Sequence, residues 1–92
     1  MKLKNYMEDA VRNTLDELLD KRAAVCKCSR CRLDIIAHAL NHLPPKYVVT
    51  DRGHAYTRVA EMAQQFGTDL IVALSKAIKH VSKNPRHDSQ GN

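Results

Sequence analysis

The sequence predicts a small all-α fold of three main helices, the last of them long. Three observations carry that reading. Apolar residues recur at three- and four-residue spacing over most of the chain. The one β-rich run, Tyr47-Val48-Val49-Thr50, is only four residues long, enough for an extended linker or a short edge strand. The pair Pro44-Pro45 breaks the helical pattern once, because the first proline forces Leu43 out of the helical region. With 92 residues there is room for one domain. Residues 1–85 read as that helical domain, and residues 86–92 as a polar tail.

The first helix is expected over residues 5–23. Met7, Ala10, Val11, Thr14, Leu15, Leu18 and Leu19 form its apolar stripe, with Glu8, Asp9, Asp16, Glu17 and Asp20 mostly outside it. Asn5 suits the N-cap, and Glu8 three residues later suits a capping box. Lys21 and Arg22 are placed in the last turn, where cations favour the helix dipole. The second helix is expected from Ser29, as its cap, to Asn41, with Leu33, Ile36, Ala37 and Leu40 on its stripe.

The third helix is expected to start at Thr50 or Asp51 and to run to about Ser82. Val59, Met62, Ala63, Phe66, Leu70, Ala73, Leu74, Ala77, Ile78 and Val81 hold helical period throughout. Gly67 costs ~1 kcal/mol relative to alanine inside a helix, so it marks a kink or the close approach of another helix. About 30 residues at 1.5 Å each would span about 45 Å, more than two shorter helices can cover. The exposed remainder of the stripe predicts a homodimer.

Composition narrows the function. Hydrophobic residues at 43% and charged residues at 27% are those of a soluble globular protein. No apolar run approaches the ~20 residues of a membrane span. The basic start has no apolar h-region after it, so it does not read as a secretory signal, and a cytoplasmic location is expected. The net charge of +5 is concentrated in residues 26–58, where Lys27, Arg30, Arg32, Lys46, Arg52 and Arg58 face only Asp34 and Asp51. A local basic excess can attract a phosphate-bearing partner, or can simply be a solvated face. The chain has no Gly-rich phosphate loop and no G-x-S-x-G elbow. No nucleophile, base and orienter can be assembled by spacing, so an enzyme is not expected.

Cys26-Lys27-Cys28-Ser29-Arg30-Cys31 is a C-x-C-x2-C run, and its Cys28/Cys31 pair has the usual spacing of zinc ligands. Three cysteines in a reducing compartment point to metal or redox chemistry rather than to a disulfide frame. Cys31 falls in the first helical turn, where the dipole lowers a thiol pKa, and Lys27, Arg30 and Arg32 act in the same direction. The alternative is three free, partly buried thiols. Three sulfurs leave a tetrahedral Zn²⁺ one position short. His38 rises ~10.5 Å beyond Cys31 on one helix and is awkward for a shared ion. His54, His80 or His87 can arrive from elsewhere, His87 being the candidate that would anchor the tail. Asp88, water or a residue of a second copy are the alternatives. His38 and His42, at i and i+4, share a helix face and read as surface or interface histidines.

Asn5-Tyr6-Met7-Glu8, the cysteine run, and the stretch from Cys31 to Tyr47 resemble the bacterial late competence development protein ComFB family. The most specific part is Asp34, Ala39, Leu40 and Asn41, followed by Leu43-Pro44-Pro45 and Tyr47; Tyr56-Thr57-Arg58 also fits. The resemblance covers residues 5 to about 85. It implies a small, mostly helical dimer without known catalytic activity, in which cysteine-bearing members bind zinc. Cys26, Cys28 and Cys31 match the family's metal cysteines. Members of that type can supply a fourth cysteine near the C-terminus, which this chain lacks, and His87 is the substitute expected here. Asp34 and Asn41 suit capping or hydrogen bonds to neighbouring backbone.

The leading functional expectation is a zinc-stabilised dimeric adaptor, related to competence or signalling, whose partner is another, unidentified protein. The alternative is a cyclic dinucleotide receptor, because other family members are regarded as receptors for cyclic di-GMP. In this chain Lys46, Tyr47, Arg52, Tyr56 and Arg58 would serve, since arginine grips phosphate bidentately and stacks, like tyrosine, on a purine. Nucleic-acid binding is weaker, because the basic excess is small and aromatic residues make up only 4%.

Overall fold

The periodic apolar residues do become helices, but a small sheet joins them, so the fold is mostly rather than wholly helical. The computed structural model describes residues 2–22, 25–50, 61 and 64–83. In chain order these form β1 (Lys2–Asn5), α1 (Tyr6–Asp20), α2 (Ser29–Leu40), β2 (Tyr47–Thr50) and α3 (Gly67–Lys83). The strands pair antiparallel, Lys2 opposite Thr50 and Asn5 opposite Tyr47. Neither had a partner visible in the sequence, since 41 residues separate Asn5 from Lys46, where the two segments first touch.

Asn5 makes the junction. Its Oδ1 accepts from the amide of Met7 at 3.1 Å and so caps α1. The same oxygen accepts from the amide of Lys46 at 2.8 Å, and the Tyr6 amide donates to the Lys46 carbonyl at 2.9 Å. The capped amide is that of the second helical residue rather than of Glu8, so this is a simple cap and not the expected box. α1 stops at Asp20, which leaves Lys21 as its C-cap and Arg22 beyond the last turn. The Arg22 guanidinium instead donates to Ser75 Oγ on α3, at 3.5 Å.

The core lies between the three helices. α1 contributes Met7, Ala10, Val11, Leu15 and Leu19, and α3 contributes Leu70, Ala73, Leu74, Ala77, Ile78 and Val81. Both faces are those expected, with Tyr6 also fully buried. α2 is rotated from expectation. It buries Cys31, Ile35, Ile36 and Ala39, while Leu33 is 53% exposed. The reason is that Cys31 belongs to the apolar face: i, i+4 and i+8 are Cys31, Ile35 and Ala39. Counting the cysteine only as a ligand had moved the stripe round the helix. Fully burying a large aliphatic side chain stabilises by roughly 1.5–3 kcal/mol, so these faces dominate the fold.

The third helix also departs from expectation. Thr50 closes β2, and the other expected start, Asp51, lies outside the described residues. The helical path breaks at Phe66, between helical Gln64–Gln65 and α3. Phe66 lends its carbonyl to the Leu70 amide at 2.8 Å, which starts the new helix. A Cβ placed on Gly67 would meet nothing within 4 Å, so the glycine marks the break and not a close helix approach. α3 has 17 residues, about 25 Å of helix. The length argument for a second copy therefore does not hold over the described residues. No described helix is long and apolar enough to cross a membrane.

Candidate metal centre

The cysteine run forms the approach to α2. Val25 packs against the core, and Cys28 is the N-cap of α2, with Ser29 its first residue rather than the cap. The backbone at Cys28 is extended (φ −68°, ψ 161°), so the chain turns sharply into the helix there. That turn points the Cys28 sulfur back over the first turn, where it accepts from the Cys31 amide at 3.4 Å. An amide donating to a cysteine sulfur stabilises negative charge on it, which is the support a metal thiolate needs.

The ligand atoms of Cys26, Cys28 and Cys31 all lie within 4.8 Å of one another. At a Zn–S bond of about 2.3 Å, two sulfurs of a tetrahedral site stand about 3.8 Å apart, so the trio needs little adjustment to share one ion. Cys26 and Cys28 are exposed and Cys31 is buried, 2% exposed. The ion would thus sit at the surface with one ligand rooted in the core. The donor set, three soft sulfurs and no carboxylate, suits Zn²⁺ or another thiophilic cation and not Mg²⁺ or Ca²⁺. Among the described residues no fourth ligand joins the group.

The electrostatics differ from expectation. Burial pushes the Cys31 thiol up to about 12, and the neighbouring sulfurs of Cys26 and Cys28 add to the rise. Two of the three nearby cations are engaged elsewhere: Arg30 Nε pairs with Asp34 Oδ2 at 3.2 Å, and Arg32 pairs with Asp16 of α1. A bound cation is what would let three adjacent sulfurs carry charge together. Asp34 is thereby given a surface ion pair, and Asn41 is the C-cap of α2, its amide donating to the Ala37 carbonyl at 3.0 Å.

The profile of the late competence development protein ComFB family matches residues 4–85. The chain belongs to the ComFB family. It is 31% identical over 83 residues to the competence protein ComFB of Bacillus subtilis (strain 168), covering 90% of this chain and 85% of that one. The solved structure of the late competence protein ComFB from Bacillus subtilis superposes with a TM-score of 0.77 at 31% identity, over 94% of each chain. The ComFB-type fold thus places the cysteine trio at the N-terminus of its second helix and the β1–β2 pair over the start of its first.

The other expected site residues divide between described and undescribed positions. His87 and Asp88 lie outside the described residues, as do His54, Arg52, Tyr56 and Arg58. Lys46 and Tyr47 are described. Lys46 Nζ stands 5.0 Å from the centre of the Phe66 ring, and Tyr47 is 62% exposed on β2. That His80 joins His38 and His42 is not legible from the chain alone. Its ring centre lies 4.6 Å from that of His38, a tertiary contact between α2 and α3 that no local spacing announces.

Proposed function

We propose that this chain is a non-enzymatic, zinc-stabilised regulatory adaptor of the competence type that acts by docking another protein. The observation that carries the reading is the gathering of the three cysteine sulfurs within 4.8 Å at the capped start of α2. In this reading Cys26, Cys28 and Cys31 hold Zn²⁺, and His87, water or a second copy supplies the fourth bond. The metal fixes the approach to α2 and adds folding energy to a small core. Ile71 and Val72, each 48% exposed on the outer face of α3, support a homodimer as the working form. The test is elemental analysis of the purified full chain. One zinc per chain and a fall in melting temperature on chelation are expected. Under half an equivalent, with melting unchanged by chelator, would exclude a site that contributes to folding.

A second reading has one specific observation behind it. The exposed Tyr47 ring offers a stacking face, as a cyclic dinucleotide such as cyclic di-GMP requires. Titration calorimetry with cyclic di-GMP and cyclic di-AMP tests it. Binding that is lost in Tyr47→Ala supports the receptor, and no heat at micromolar protein counts against it.

A further inference from the structure

The far end of α2 carries a second cluster that the metal centre does not use. The rings of His38 and His42 stack at 4.5 Å between centres, 23° from parallel. His80, from α3, lies 4.6 Å from His38 on the same measure, tilted by 30°. His38 is the ring common to both contacts. Its neighbours differ from it in one respect: His42 and His80 are exposed, while the Nδ1 atom of His38 is buried and among the described residues has no hydrogen-bond partner.

The hydrogen bonds assign the protons. His42 Nδ1 lies 2.8 Å from the His38 carbonyl oxygen. A carbonyl oxygen only accepts, so that nitrogen is the donor. Among the described residues His38 Nδ1 has no acceptor. A proton there would be a buried donor left unpaired, which is costly, so the neutral ring with its proton on Nε2 is the form this site accommodates. The cluster is not a second metal centre, because among the described residues only the cysteines bring three ligand atoms within sharing distance.

We propose that the His38–His42–His80 stack is an acid-opened latch between α2 and α3, closed while the central ring is neutral and released when it is forced to take a proton. Among the described residues the titratable and charged groups around His38 are His42, just beyond the end of α2, His80 on α3, and Asp69 and Lys76 of α3, which line with His38 and His42 a cavity of about 630 Å³. Asp69 and Lys76 carry charges of opposite sign on the cavity wall. Burial holds His38 below the usual histidine value, with charge on His42 and His80 acting in the same direction. The sign follows. Below the ordinary value of 6.5 the unfolded or opened chain binds the proton that the closed stack refuses, so acid favours opening. Separation of α2 from α3 at this end hydrates His38 and takes it away from His80.

The test follows the histidine ring signals by NMR and the amide exchange of α3 in the full, metal-loaded chain between pH 7.5 and 4.5. His38 is expected to titrate below 6.5. Exchange in α3, corrected for intrinsic chemistry, is expected to rise several-fold as pH falls through that transition. His38→Phe keeps a stacking ring without a titrating group, and its exchange should be flat across the same range. His80→Gln removes one facing charge without touching the core, and should move the His38 transition upward. An ordinary His38 titration, or an acid response shared by His38→Phe, overturns the latch. Metal content is measured in the same samples, and an α3 response that only tracks metal loss also overturns it. If His38→Phe does not fold, an unmoved His38 transition in His80→Gln has the same force.

Discussion

The two ends of α2 are built from similar material and do different things with it. At the N-terminal end three cysteines from six residues of sequence turn back on one point, with their ligand atoms within 4.8 Å of one another. At the C-terminal end the ring of His38 lies against those of His42, just beyond the helix, and His80 of α3, and its buried Nδ1 has no partner among the described residues. Convergence is what a metal requires, because one ion must reach every donor at about 2 Å. Stacking leaves the donors apart and makes the shared quantity charge. Ligand-type residues clustered on one helix are therefore not one kind of feature, and geometry separates a candidate metal knuckle from a titratable stack. Between them Ile35 and Ile36 fix α2 in the core, so either end can change while the middle holds.

The sharpest way to break the contrast is at Cys31, the one sulfur that serves both the knuckle and the core. Cys31→Ser puts a hydroxyl at a buried position and removes a metal ligand. We expect loss of most bound zinc and destabilisation on the order of 4 kcal/mol, measured by urea unfolding with metal analysis. Cys31→Val separates the two roles, since it keeps the packing and removes the ligand. A valine variant as stable as the parent in the presence of zinc would show that the sulfurs add nothing through a metal. Next in size is Ile35→Ala, which should cost about 3 kcal/mol by opening a cavity in the core. Its bound zinc should stay near that of the parent, because the knuckle is local to residues 25–31. Zinc lost in proportion to stability would join the knuckle to the core and erase the distinction.

Much of this was legible in the residues, and the reasons for the remainder are physical. The buried faces of α1 and α3 follow from helical period alone, since both pack one stripe against a single core. The cysteine trio was legible because its geometry is made within one turn. β1 was not. Lys2-Leu3-Lys4-Asn5 alternates, but over four residues, and its partner strand lies more than 40 residues away. The rotation of α2 was missed because a cysteine can be a ligand and a core residue at once. His80 was missed because its partners are on another helix. Of the two expected helix starts, Thr50 pairs in β2, a long-range contact that local capping preference does not announce, and Asp51 lies outside the described residues.

Asn5 tests whether the sheet matters to the knuckle end of the molecule. Its Oδ1 serves the Met7 and Lys46 amides together. Asn5→Ala removes a cap worth about 1 kcal/mol and leaves the Lys46 amide without its acceptor, for a total of about 2 kcal/mol. Asn5→Asp should recover most of it, because a carboxylate accepts both bonds and suits the helix N-terminus. Thermal unfolding of the three chains decides this. A loss in Asn5→Asp as large as in Asn5→Ala would mean that the amide nitrogen of Asn5 also has a required partner.

The smallest expected effect is at Asp34, midway between the knuckle and the stack. Its carboxylate pairs with Arg30 one turn earlier, at 3.2 Å, with the arginine half exposed. An i, i+4 pair on a helix surface is worth about 0.3–0.5 kcal/mol, and the order of cation before anion is the less favourable one. Asp34→Asn should therefore shift the unfolding midpoint by only about 1–3 °C for a domain of this size, and 0.5 M salt should remove most of the difference by screening. A loss several times larger, insensitive to salt, would require a second contact for the carboxylate, such as a surface brought by another chain. Comparing Asp34→Asn with Arg30→Gln across a concentration series separates the cases. Two small, equal losses independent of protein concentration leave a solvated ion pair. A carboxylate-only loss that grows on dilution places Asp34 in an assembly interface, and with it one face of α2 between its two ends.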